Sequence, residues 1–90
     1  MRLSPRGLEL LELLGPHVVE VAARTARKPD RAGWVRCVIP IESFESGVRE
    51  LMRLGGDAEV IGPSAFRAQL ASTAARIASI HADGAPRGMR

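Results

Sequence analysis

One run of eight residues does most to limit the fold of this chain: Trp34-Val35-Arg36-Cys37-Val38-Ile39-Pro40-Ile41. Its odd-numbered members, Val35, Cys37, Ile39 and Ile41, are all apolar, while Trp34, Arg36 and Pro40 share the other side. A period of two in β-branched residues marks a strand that buries one face and leaves the other open. Sheets of that kind are antiparallel with helices on one side, whereas parallel sheets buried on both faces read as continuous apolar runs. The chain therefore has to supply helices carrying one apolar stripe each.

It supplies three. The first is predicted over residues 5–14, where Ser4-Pro5 offers an N-cap and a first-turn proline. Leu8, Leu11 and Leu14 recur there at helical spacing, Leu10 and Leu13 widen the stripe, and Gly15-Pro16 stops it. The second opens on the Ser43 cap, with Phe44, Val48, Leu51 and Met52 inward and Glu45–Arg49 as an i,i+4 pair outside. The third follows Gly62-Pro63-Ser64 and aligns Phe66, Leu70, Ala74, Ile77 and either Ile80 or His81.

Residues 18–23, Val18-Val19-Glu20-Val21-Ala22-Ala23, are β-branched and partly alternating. They read as a strand that forms a hairpin with 34–41 across the polar turn at Pro29-Asp30. Residues 57–61 form a short strand, and Arg2-Leu3 reads as the stub of another. The order β-α-β-β-α-β-α predicts an α+β fold, a ferredoxin-like split β-α-β sandwich. In it an antiparallel sheet is covered by helices on one face, and a C-terminal helix is added. Three stripes exceed what so small a sheet can cover, so the last helix is expected at an edge or against another subunit, in a symmetric homodimer. Residues 1–81 make one regulatory domain in this reading, and 82–90 a flexible tail with two glycines and a proline.

At 90 residues the chain has room for one modest core, and its 46% apolar and 26% charged content is that of an ordinary globular domain. No apolar run approaches the ~18 residues of a spanning helix, and Met1 to Arg6 lacks a signal core, so a cytoplasmic location without a membrane partner is expected. The single cysteine excludes an internal disulfide and a Cys-rich zinc site. Cys37 falls on the apolar face of its strand, where a thiol packs as a small hydrophobe. His17 and His81 are far apart, and no H-x-x-x-H, C-x-x-C or paired-carboxylate spacing occurs. Gly55-Gly56 precedes a strand and not a helix, which is the wrong order for a phosphate cradle. No catalytic residue, metal site or cofactor is expected.

Charge is concentrated in one place. Between residues 24 and 36, Arg24, Arg27, Lys28, Arg31 and Arg36 face a single acid, Asp30, giving a local balance of +4 within a net +3. With Trp34 beside them, these residues are the candidate binding set. Positive charge next to a stacking surface is what single-stranded nucleic acid or a small anionic effector requires. Solvated basic residues that deter edge-to-edge pairing account for the same pattern.

The stretch Gly33-Trp34-Val35-Arg36-Cys37-Val38-Ile39-Pro40-Ile41-Glu42-Ser43-Phe44 carries a family likeness. So do Val48-Arg49-Glu50-Leu51-Met52-Arg53-Leu54-Gly55, Ala58-Glu59-Val60-Ile61-Gly62-Pro63 and Phe66-Arg67. Together they resemble the C-terminal extension that follows the WYL domain in bacterial transcriptional regulators. Ile61-Gly62-Pro63 departs from that pattern, in which an acidic residue more often precedes the proline. The resemblance implies a ferredoxin-like, non-catalytic module that dimerises the regulator or senses its effector. It also implies that the WYL and winged-helix domains lie in a part of the protein not included here, with Met1 an internal methionine.

Overall fold

The computed structural model describes residues 1–82. The expected tail, apart from Ala82, lies outside the described residues. β1 (Arg2–Leu3) is the central strand of a three-stranded sheet, flanked by β2 (Val35–Arg36) and β3 (Ala58–Glu59) in the order β2-β1-β3. Both pairings are antiparallel, with Arg2 opposite Arg36 and Glu59, and Leu3 opposite Val35 and Ala58. Cross-strand partners share a face, so one register fixes both sides of the sheet. Leu3, Val35 and Ala58 face the core, while Arg2, Arg36 and Glu59 face away. The alternation read from the sequence continues past β2: Cys37 is buried, Ile39 and Ile41 are partly buried, and Arg36 and Val38 are exposed.

α1 (Pro5–Leu10) begins at the expected cap. The Ser4 hydroxyl accepts from the Gly7 N–H at 2.9 Å and donates to the Asp57 carboxylate at 2.8 Å, while the Ser4 N–H donates to the Asp57 carbonyl at 2.9 Å. One buried serine thus joins the end of β1, the start of α1 and the approach to β3. The predicted helix over 5–14 tightens after Leu10 into a 3-10 turn, Leu11–Leu14, and Arg53 donates to its Leu13 carbonyl at 3.0 Å.

Residues 18–23 are not a strand. They lie inside α2 (Pro16–Thr25), which follows Gly15 at φ +104° with Pro16 in its first turn. Val18, Val21, Ala22 and Thr25 fall at i, i+3, i+4 and i+7, and of these Val21 and Ala22 are buried. The β-branched bias that suggested a strand is a weak preference, and burial of this stripe overrides it. The hairpin is therefore absent: residues 24–36 comprise the end of α2, a connecting loop and β2. The described residues form an α+β unit with three strands, and the four-stranded split β-α-β arrangement does not arise from them.

α3 (Phe44–Met52) starts on Ser43, whose hydroxyl accepts from the Ser46 N–H at 3.1 Å while the Ser46 hydroxyl accepts from the Ser43 N–H at 3.3 Å. A 3-10 turn, Gly55–Asp57, leads into β3. α4 (Ser64–His81) then packs on α3 through Phe66, whose ring centroid lies 5.3 Å from that of Phe44. A Cβ on Gly47 would stand 2.9 Å from the Phe66 ring, so only glycine admits this approach. Leu70 and Thr73 are partly buried, but Ala74, Ile77 and Ile80 are exposed. The apolar stripe predicted for the last helix is used over its first half only, and the molecule measures 48 × 29 × 24 Å. Among the described residues no helix is long and apolar enough to cross a membrane.

Candidate functional site on the open face of the sheet

One side of the sheet turns Leu3, Val35 and Ala58 toward the core, and its other side carries the charged register of Arg2, Arg36 and Glu59. Arg2 occupies the centre. Its Nε donates to Glu59 at 2.9 Å, one terminal nitrogen reaches Asp30 at 2.6 Å, and its guanidinium carbon sits 4.6 Å from the Trp34 ring centroid. A planar guanidinium can bond in its own plane while stacking on an indole, so the two contacts do not compete. Glu59 also meets Arg67 at 3.5 Å, and Arg67 donates to the Val60 carbonyl at 3.1 Å.

Asp30 shapes the loop before β2. One carboxylate oxygen accepts from the Ala32 and Trp34 N–H groups at 2.9 and 3.0 Å, and the Asp30 N–H donates to the Trp34 carbonyl at 2.9 Å. The N–H of Trp34 does most to hold this carboxyl below its ordinary range, followed by that of Ala32 and by the Arg2 guanidinium. Hydrogen bonding to Glu59 above all raises the pKa of Arg2, with Asp30 adding to it.

The candidate binding residues are only partly assembled. Trp34 and Arg36 share the open face by strand alternation. Arg27 is joined to Arg36 through a backbone hydrogen bond of 2.9 Å, and both side chains border a hollow that also touches Thr25 and Val38. Arg24 points elsewhere, on the outer face of α2, and pairs with Glu20 at 3.2 Å. Lys28 and Arg31 lie exposed in the loop outside that hollow. Arg27, Lys28, Arg31 and Arg36 make no ion pair with the described residues, whereas Arg2 and Arg67 are neutralised by Asp30 and Glu59.

Sequence reasoning missed Arg2, Glu59 and Arg67 as members of this face. The one available signal was the stub Arg2-Leu3, whose alternation puts Arg2 outward if Leu3 is inward. Cys37 is buried as expected, and desolvation pushes its thiol above its ordinary value, which keeps it protonated and unreactive at neutral pH.

No curated protein and no solved structure matches the chain. Among protein families, residues 1–78 match the model of the WCX domain, a span that takes in nearly every described residue from β1 through most of α4. On that match the chain belongs to the WCX domain family, the C-terminal extension of WYL-domain regulators, which is a transcription-regulator setting and not a catalytic family.

Proposed function

We propose that this WCX domain is a non-catalytic dimerisation module of a WYL-type regulator, and that it transmits or receives the effector signal. The observation that carries the reading is the exposed apolar end of α4, where Ile77 and Ile80 are 46% and 52% accessible although both belong to the stripe that Phe66 buries. A helix whose large apolar side chains run on beyond its own core has a partner surface to offer. Sedimentation velocity across the micromolar range tests it. A concentration-dependent dimer is expected, and a monomer persisting to high micromolar concentration would overturn the reading.

A second reading rests on a different observation: Arg27 and Arg36 border one hollow and lack acidic partners among the described residues. Here the open face holds single-stranded nucleic acid or a small anionic effector. Trp34 is the only tryptophan, so its fluorescence reports directly on this face. Titration with a short single-stranded oligonucleotide should show saturable binding, with a log–log salt slope of roughly −3 for about four phosphate contacts. A slope near zero removes this reading and leaves the first untouched.

A further inference from the structure

Resting on the dimerisation reading above, we propose that the distal half of α4 docks into an acid-rimmed apolar cleft between α2 and α3 of a second copy, each copy giving its helix to the other. The cleft has a volume of about 220 Å³, with Leu14, Val18, Ile39 and Leu51 inside and Glu42 and Glu50 at its rim. That is below the roughly 300–1,000 Å³ of ordinary small-molecule sites and suits a few aliphatic side chains. Ile77 and Ile80, three residues apart on one helix face, supply them.

Charge selects the same pairing. α4 carries Arg67, Arg76 and His81 and no carboxylate. Arg67 is already held by Glu59, which leaves Arg76 without an ion pair among the described residues. At the cleft, Glu42 makes no ion pair with the described residues, and Glu50 has only a 3.7 Å contact with Arg53. A positive, acid-free helix therefore meets a negative rim. Packing two copies of α4 against each other would instead bring together helices with no acid to neutralise either arginine. A continuous helix cannot fold back into its own cleft, because Phe66 fixes its first turn on α3 and the rest of the helix, to His81, carries it roughly 22 Å onward. The exchange is isologous, so two identical contacts close the dimer.

The test uses the ninety-residue chain. Sedimentation compares it with Ile77→Ser/Ile80→Ser, with Glu42→Lys/Glu50→Lys and with Arg76→Glu, while circular dichroism confirms that each variant folds. In parallel, p-benzoylphenylalanine replaces Ile80 in an equimolar mixture of 15N-labelled and unlabelled chains, and photolysis products are mapped by mass spectrometry. Each variant should weaken association at least about tenfold. Combining Arg76→Glu with Glu42→Lys/Glu50→Lys should restore it, and interchain cross-links should fall on residues 14–18 or 39–51, which line the cleft. A dimer that ignores the Glu42→Lys/Glu50→Lys change, or that cross-links α4 to α4, overturns the docking site and leaves dimerisation standing. Cross-links confined to one chain also overturn the docking site. A monomer at every concentration overturns both.

Discussion

Asp30 accepts two backbone N–H groups and one guanidinium, and all three interactions favour its charged form. Its folded pKa is depressed, so the stabilisation it gives is present above the unfolded value, near 4, and is lost as pH falls through the folded value. Comparing urea midpoints from pH 6 to pH 3 for the parent and Asp30→Asn should show the parent's advantage shrinking below about pH 4. An advantage that grows on acidification would mean that the carboxylate is not held in this way. Gly47 makes a second residue-scale prediction. Alanine at an exposed helical position gains about 1 kcal/mol over glycine, but here its Cβ would lie 2.9 Å from the Phe66 ring and 3.0 Å from Ile41. Overpacking costs about 1–3 kcal/mol, so Gly47→Ala should destabilise on balance in urea titration. Among the site residues, the placing of Trp34 and Arg36 on one side was legible in the period-two pattern of residues 34–41, although Trp34 itself lies just before β2. Arg2 was not: its partners Asp30 and Glu59 lie 28 and 57 positions away, and a two-residue strand carries too little pattern to announce its pairing.

At the level of elements, capping chemistry located helix starts well. Ser4 and Ser43 cap α1 and α3 as read, because a side-chain oxygen reaching a first-turn N–H is a local interaction that the sequence displays directly. The error at α2 has the opposite origin. Val18, Val19 and Val21 fit a strand by composition, and only the packing of Val18, Val19 and Ala22 at the core makes the helical spacing decisive. Thr25 shows how that helix is tied down. Its hydroxyl donates to the Val21 carbonyl at 2.8 Å and accepts from the Val38 N–H at 2.8 Å, linking the last turn of α2 to the segment after β2. Thr25→Val keeps the shape and removes both bonds. The carbonyl of Val21 already serves the helix, and Val38 is exposed enough for water to take over, so the cost should be about 1 kcal/mol. Faster hydrogen exchange at the Val38 amide should accompany it. Unchanged protection there would mean that the threonine does not carry the link.

At the scale of the molecule, the excess of helical stripe over sheet area was readable from counting alone. Among the described residues the strands are still fewer than expected, with β2 and β3 each paired there only to β1. Less sheet leaves less for α4 to cover, and the helix divides accordingly. Phe66, 1% exposed, belongs to the fold, while Ile77 and Ile80 face solvent in the single chain. That division has a thermodynamic signature. Phe66→Ala removes a buried ring and should cost about 3–5 kcal/mol. Ile77→Ser/Ile80→Ser removes as many carbon atoms in total, yet at concentrations where the chain is monomeric it should cost no more than about 0.5 kcal/mol, as surface substitutions do. Urea unfolding at several protein concentrations checks both. The parent midpoint should rise with concentration while that of the double variant stays level, since only a native state joined through α4 gains stability by mass action. A loss above 2 kcal/mol for the double variant in dilute solution would place the distal half of α4 in the monomer's own core and remove the surface on which the association rests.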